Sequence, residues 1–219
     1  MKKLFSLLLS LMLATSLAAC GASNAAADDT TPPADTTDTT PETTPEDTTA
    51  PETTPDAAPA AEGGTLIAYF SWSGNTEQVA QTIAAQTGGE LFEIQTAAPY
   101  TDDYDELLDV AQQEQAIDAR PELTAQVENW DSYDTVFVGY PNWWSDAPMA
   151  IYTFLESYDF AGKTLIPFNT SASGGFGSSL DGIAQSAAGA EIAEGLALTE
   201  GDLGETESLV TEWLAALGL

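Results

Sequence analysis

The sequence predicts a three-layer α/β fold in which a doubly wound, five-stranded parallel sheet is covered by helices on both faces. Two observations lead to this fold class. Apolar runs typical of strands buried on both faces alternate with segments of helical spacing. Strands and helices that alternate in this order form parallel βαβ units, and the right-handed crossovers of such units leave few topologies.

Five segments are predicted as strands. TLIAYF at residues 65–70 and TVFVGY at residues 135–140 are continuous apolar runs, as expected for strands inside the sheet. Residues 90–95 alternate, and residues 191–198 form a weaker strand. KTLIPFN at residues 163–169 is the third buried strand, although a proline fits poorly at its centre. The predicted helices cover residues 75–87, 103–117, 148–158, 178–188 and 203–217.

The beginning of the chain has the pattern of an export signal. Lys2 and Lys3 precede a short apolar run, and small residues follow it, as in a secretory signal peptide over residues 1–19. An uncleaved membrane anchor is the alternative. LAAC at residues 17–20 resembles the lipobox of bacterial lipoproteins, which implies acylation of Cys20 and cleavage before it. Cys20 is the only cysteine, so it has no disulfide partner within the chain; a chance cysteine in an ordinary signal peptide is the other interpretation.

Residues 21–62 have the composition of a linker. They consist almost wholly of Ala, Thr, Pro, Asp and Glu, with ten acidic and no basic side chains. Such a segment buries too little apolar surface to offset its ordering entropy, and its prolines and charges favour an extended chain. We therefore expect residues 20–62 to be a lipidated, disordered tether that holds a domain at residues 63–219 on the extracytoplasmic side of a bacterial membrane.

Charge and composition exclude several classes of function. The chain has four Lys and Arg against 35 Asp and Glu, a net charge of −31, and only Arg120 and Lys163 lie beyond the signal peptide. Nucleic acids and anionic lipid head groups require clustered cations, so neither is expected to bind the protein surface. The absence of His, and of Cys beyond Cys20, excludes an imidazole base, His-ligated zinc and a cysteine nucleophile. No metal site is expected, and an enzyme of this composition would depend on a bound cofactor.

The first candidate binding loop joins the first strand to the first helix. Its glycine lets the backbone approach a ligand closely, and the helix N-terminus presents unpaired N–H groups. Together with the hydroxyl groups, these can hold a phosphate without a cation; a capped turn without a ligand is the alternative. The loop has neither the lysine of a P-loop nor the glycine pattern of a dinucleotide site. The candidate residues are Ser71, Trp72, Ser73, Gly74, Asn75 and Thr76.

Two further loops follow the carboxyl ends of buried strands, where ligands of such sheets bind. In the second loop, two adjacent tryptophans are poorly explained by sheet packing. A planar ring can stack on one of them, and we expect the other to cap the edge of the core. The third loop is rich in glycine and hydroxyl groups, which can contact the polar edge of a ring. The candidates are Pro141, Asn142, Trp143 and Trp144, and then Thr170, Ser171, Ser173, Gly174, Gly175 and Gly177.

These three loops resemble those of flavodoxins, and the resemblance covers about residues 65–218. SWSGNT is similar to the family's phosphate loop, GYPNWW to the loop that stacks on the flavin ring, and TSASGGFG to the loop at the pyrimidine edge. The resemblance implies noncovalently bound FMN, the flavodoxin strand order 2-1-3-4-5, and electron transfer by the flavin without a catalytic side chain. The family often has a glycine near the flavin N5 where this chain has Ser145, a departure that bears on one-electron chemistry.

Three functions fit the sequence. The leading one is an electron carrier that meets redox partners with a basic docking face. The second is an FMN-dependent reductase of the NAD(P)H:quinone type, and the third is a flavin-free surface domain that binds a ligand or partner. The fold class alone does not distinguish them.

Acylation at Cys20 can be tested in cells. Stable anchoring requires two lipid signals or more, and the lipobox resemblance implies several acyl chains on this cysteine. The native protein should therefore partition into the detergent phase, whereas Cys20→Ala should partition into the aqueous phase. Identical partitioning of the two forms would contradict lipid anchoring.

Overall fold

The computed structural model describes residues 63–219, so the predicted signal peptide, Cys20 and the tether lie outside the described residues. Six strand segments form one parallel sheet in the order β2-β1-β3-β4-β5, and β6 also pairs with β4. This confirms the predicted fold class and strand order. The strands are β1 (Gly64–Tyr69), β2 (Glu90–Glu93), β3 (Tyr133–Pro141), β4 (Thr164–Ser171), β5 (Glu191–Ile192) and β6 (Leu196–Thr199). The helices are α1 (Asn75–Thr87), α2 (Tyr104–Ala116), α3 (Met149–Glu156), α4 (Ser179–Ser186) and α5 (Thr206–Leu217).

The fifth position of the sheet is a broken strand rather than the continuous one predicted over residues 191–198. β5 pairs with the beginning of β4 and β6 with its end. The Leu165 carbonyl accepts a hydrogen bond from Ala193 N–H at 3.0 Å. Residues two positions apart in a strand direct their backbone groups to the same neighbouring strand. The backbone nitrogen of Pro167, two residues after Leu165, therefore also faces the β5–β6 side of β4. Because Pro167 has no N–H to donate, it lies opposite the gap between β5 and β6, which explains how a proline occupies the centre of this strand.

Alternate residues of the central strands pack into two separate apolar layers. Leu66 and Ala68 belong to the layer that contains α3 residues, whereas Ile67 and Tyr69 belong to the layer formed with α1 and α5. The alternation follows from the period of two along a strand. Burial on both faces is the reason that β1 and β3 are continuous apolar runs.

The helix boundaries differ slightly from the predicted ones because capping groups determine the ends. The Asp103 carboxylate accepts from Glu106 N–H, so α2 begins one residue later than predicted. A capping box between Thr199 and Asp202 starts a 3-10 helix over Glu200–Glu205, and α5 therefore begins at Thr206 rather than at 203. Among residues 63–219, no helix combines the length and apolar character that a membrane span requires.

Candidate functional site

The three predicted loops meet at a cleft of about 450 Å³ beyond the carboxyl ends of β1, β3 and β4. A groove of similar volume lies near Arg120, but its walls are largely polar side chains, whereas several aromatic rings line the cleft. Nine of the candidate binding residues line the cleft, namely Trp72, Ser73, Asn75, Pro141, Asn142, Trp143, Trp144, Thr170 and Ser171.

The first loop presents backbone donors at the beginning of α1. Gly74 has a left-handed backbone with φ of +87°, and a Cβ at this position would meet no atom within 4 Å, so its surface is open to a ligand. Ser71 Oγ accepts from the N–H groups of Gly74 and Glu77, both at 3.2 Å. Because the first four N–H groups of a helix have no acceptor within the helix, the amides of Asn75 and Thr76 remain to bind an anion. Ser71 therefore supports the loop instead of lining the cleft.

Thr76 joins the first loop to the third. Its side chain is 1% exposed, and its Oγ1 lies 2.8 Å from Thr170 Oγ1 at the end of β4. The sequence predicts both hydroxyls as ligand donors. In the structure they share one hydrogen bond, so at most one of the two protons is free for a ligand.

The second loop is a tight turn with an unusual backbone. Trp143 and Asp146 exchange two backbone hydrogen bonds of 2.8 and 2.9 Å. Between them, Trp144 and Ser145 have φ of +50° and +63°, the left-handed pair of a type I′ turn that normally carries Asn and Gly. Each non-glycine residue in this region costs roughly 1 kcal/mol or more. The Ser145 carbonyl accepts from both N–H and Oγ of Ser178 at 2.8 and 3.0 Å, which offsets part of this cost.

The two tryptophans of this loop have different surroundings. The Trp143 ring meets Phe70 and Tyr100 edge-on, with centroid separations of 5.4 and 5.2 Å. Trp144 is 50% exposed, and its Nε1 donates to the Leu108 carbonyl at 2.9 Å. Trp143 is therefore the residue that caps the edge of the core, as expected for one of the pair, and Trp144 offers the more open ring.

The third loop is held by hydrogen bonds to its own backbone. Ser171 Oγ accepts from Gly174 N–H at 2.7 Å, and the amide nitrogens of Asn142 and Asn169 both donate to the Gly175 carbonyl. A Cβ on Gly177 would approach the Ser145 carbonyl oxygen to 2.1 Å, so this glycine is required for packing against the second loop. Ser173, Gly174, Gly175 and Gly177 shape the loop but do not line the cleft.

One wall of the cleft and one buried polar group are not among the residues predicted from the sequence. The first turns of α2 contribute Tyr104, Leu107, Leu108 and Ala111, and Glu200 lies at the rim. These four α2 residues recur at helical spacing and therefore share one face of the helix. This spacing is the feature of the sequence that could have identified the wall. Asn169 is fully buried, and among the described residues its Oδ1 has no hydrogen-bond donor.

Neither cation of the described chain is available to a ligand. Arg120 binds Glu156 at 2.8 Å and Asp118 at 2.7 Å. Lys163 is 8% exposed, and its Nζ donates to the carbonyls of Trp130 and Tyr133. Within residues 63–219, no group of His, Cys, Asp or Glu side chains is arranged to hold a metal ion. The cleft can therefore recognise an anion only through N–H and O–H groups.

A doubly wound parallel sheet with a cleft beyond the carboxyl ends of its strands places the domain in the class of open α/β folds that includes the flavodoxin-like fold. The family model of flavodoxin matches residues 64–217, and the chain belongs to the flavodoxin family. No curated protein matches the chain.

Solved structures agree with this assignment. A candidate flavoprotein from Bacteroides eggerthii is 32% identical, with a TM-score of 0.62, and the match covers 72% of this chain and 99% of that one. One from Bacteroides uniformis is 33% identical, with a TM-score of 0.61 and coverage of 69% and 99%. A Lactobacillus acidophilus flavoprotein, solved in complex with FMN, is 23% identical, covers 65% and 97%, and has a TM-score of 0.54, which shows a common fold.

The different surroundings of the two tryptophans predict different effects on stability. Trp143→Leu should lower the free energy of unfolding by about 2 kcal/mol, because it removes two edge-on aromatic contacts and leaves a partial cavity. Trp144→Leu should cost less than about 1 kcal/mol, since one half-exposed ring and one hydrogen bond are lost. Urea unfolding measures both. Equal losses, or a larger loss for Trp144→Leu, would contradict the assigned roles.

Proposed function

We propose that this protein binds FMN noncovalently in the cleft and uses it to transfer electrons. The main support for this proposal is the position of two features at one edge of the sheet. One is a cleft with aromatic walls, and the other is a cation-free anion site at the beginning of α1. FMN has a planar ring at one end and a phosphate at the other, so one ligand fits both parts. The Lactobacillus acidophilus relative in complex with FMN supports the choice of cofactor.

The donor set fits the phosphate of FMN. The open surface of Gly74, the amides of Asn75 and Thr76, and the Ser73 hydroxyl lie together at the positive end of the α1 dipole. A helix N-terminus of this kind can bind an anion through backbone groups alone. Binding without a cation is necessary here, because Arg120 and Lys163 already have internal partners. Thr170 and Ser171 line the same cleft and add polar groups between the anion site and the aromatic walls that would hold the rest of FMN.

The remaining walls fit the flavin ring. Trp144 provides a half-exposed aromatic ring, and Trp72 of the first loop and Tyr104 of α2 line the same cleft with their ring centroids 6.1 Å apart. The cleft of about 450 Å³ falls within the range of small-molecule sites, roughly 300–1,000 Å³. When bound, FMN supplies the one- or two-electron chemistry. The protein's own residues would orient the ring, and no side chain is needed as a nucleophile because the flavin itself carries the redox chemistry.

The surface beside the cleft suits a basic redox partner. α2 carries five exposed acidic residues in or just before its first turns, and the same helix exposes Tyr104 at the cleft. Complementary charge raises the rate of encounter between partners. The five acidic residues are Asp102, Asp103, Asp105, Glu106 and Asp109.

We also propose that Cys20 anchors the protein to the outer face of a bacterial membrane, with the acidic tether as a spacer. The proposal is supported by the LAAC sequence after the apolar run. Such an anchor would keep the domain near partners at the membrane, and it would not require cationic side chains to contact the lipid.

FMN binding through the first loop can be tested by comparing FMN with riboflavin, which lacks the phosphate. The protein should prefer FMN by about tenfold or more, equivalent to roughly 1.4 kcal/mol. Gly74→Val should abolish this preference, because a branched side chain blocks the approach of the phosphate to the backbone. Gly88→Val is the matched control, since Gly88 also has a left-handed backbone (φ +70°) and open space, but at the other end of α1. Equal affinity of the native protein for the two flavins would refute the proposal.

Stepwise reduction distinguishes a carrier from a reductase. Residues 63–219 hold 25 acidic and two basic side chains, and negative charges disfavour adding another. The second electron should therefore be harder to add than the first, and its potential should rise with ionic strength as salt screens the carboxylates. Visible absorption during reductive titration at two salt concentrations measures this. A single two-electron step together with rapid reduction by NAD(P)H would favour the quinone-type reductase instead.

A further inference from the structure

Helix α2 is attached to the cleft rather than to the core of the domain. Only two of its thirteen residues are buried, Leu107 and Ala111, which are 2% and 4% exposed. Both side chains line the cleft, together with Tyr104 and Leu108 of the same helix. No residue of α2 belongs to either of the two apolar layers that pack against the sheet. The apolar face of this helix is therefore part of the cleft.

The other four helices pack into the core. Ile83 of α1 and Val210 of α5 belong to one apolar layer, and Ile151 of α3 and Ile183 of α4 belong to the other. Segments with few buried apolar contacts open locally at a lower free-energy cost than segments of the core. α2 is therefore the helix of the described domain that can move with the least loss of core packing.

Three hydrogen bonds join the α2 segment to the cleft loops. The indole N–H groups of Trp72 and Trp144 donate to the backbone carbonyls of Thr101 and Leu108, both at 2.9 Å. In the last turn of the helix, Gln115 Nε2 donates to a backbone carbonyl of the second loop, also at 2.9 Å. Because both indoles line the cleft, a ligand that contacts their rings acts on the same side chains that hold α2 in place.

The exposed side of α2 carries part of the acidic surface assigned above to a basic partner. Asp105, Glu106 and Asp109 are exposed on the same helix whose apolar side chains line the cleft. A further hydrogen bond, from Tyr100 O–H to Glu114 at 2.7 Å, ties only the last turn of α2 to the loop that precedes the helix. A change in the attachment of α2 at the cleft therefore also displaces these three carboxylates.

We propose that FMN binding fixes the position of α2 and so couples the loading of the cleft to the placement of the acidic docking surface. The inference rests on the proposed binding of FMN. Trp72, Tyr104 and Trp144 line the cleft and also attach or belong to α2, so ring contacts to them favour the form in which α2 is in place. A ligand shifts an equilibrium toward the form that it binds better. A basic partner would therefore meet an ordered acidic surface chiefly on the loaded protein.

The experiment is amide hydrogen exchange of the full chain with and without FMN, with FMN affinity measured first for each form. Without FMN, the amides of α2 should exchange faster than those of α3 and α5, because α2 opens locally. Any ligand of the native state slows exchange throughout the domain, and α5 reports that general effect. FMN should slow the exchange of α2 by about tenfold more than that of α5, since it also suppresses the local opening.

Trp144→Phe keeps an aromatic ring but removes the N–H that donates to Leu108, so the α2 amides of the FMN-free protein should exchange about fivefold faster. Trp130→Phe is the matched control, because the Trp130 indole donates to the Asp159 carbonyl at 2.8 Å before β3, at the end of the sheet opposite the cleft. It should leave α2 exchange unchanged. Failure of the native protein to bind FMN would overturn the proposed function itself. Normal FMN binding that slows α2 and α5 equally would overturn the coupling alone, as would equal effects of the two substitutions on α2.

Discussion

Parallel pairing of β1 with β3, and of β3 with β4, ends three strands at the same edge of the sheet. Tyr69 of β1 is in register with Gly139 of β3, and Gly139 is in register with Phe168 of β4. Each chain segment that leaves this edge becomes one of the three cleft loops. The same register also buries alternate strand residues in opposite layers of the core. Parallel pairing of these strands therefore determines both the packing that stabilises the domain and the position of the cleft.

Contacts between the loops hold the cleft in shape. The Thr76–Thr170 hydrogen bond connects residues 94 positions apart, and the contact of Ser178 with the Ser145 carbonyl joins the third loop to the second. The strained turn at Trp144 and Ser145 is tolerated because of such bonds. Residues without access to the ligand, such as Ser71 and Gly177, are therefore as necessary to the site as those that line it.

Charge is the second constraint. Because Arg120 and Lys163 are engaged in internal contacts, a phosphate bound by the described domain would be held by backbone and hydroxyl dipoles alone. The dipole of α1 is suited to that task, while the acidic residues of α2 stay exposed beside the cleft. Under the proposed function, the same arrangement would repel anionic ligands at long range and favour basic partner proteins, and affinity for FMN would depend on short-range contacts and ring stacking.

The fold and most of the cleft could be predicted from the sequence, because apolar runs, helical spacing and glycine loops are local signals. Nine of the predicted contacts line the cleft. The α2 wall was missed because the side of a helix that faces a ligand depends on tertiary placement. The left-handed turn at Trp144 and Ser145 could not be predicted, since neither residue favours that conformation. Pro167 in a central strand required knowledge of the break between β5 and β6.

Binding of FMN in the cation-free cleft can be tested by the visible absorption spectrum of the purified protein and by the identity of the flavin that denaturation releases. We expect flavin absorption bands and the release of FMN, or the appearance of a perturbed flavin spectrum when FMN is added to a colourless preparation. A colourless protein whose addition leaves the spectrum of free FMN unchanged would contradict the claim.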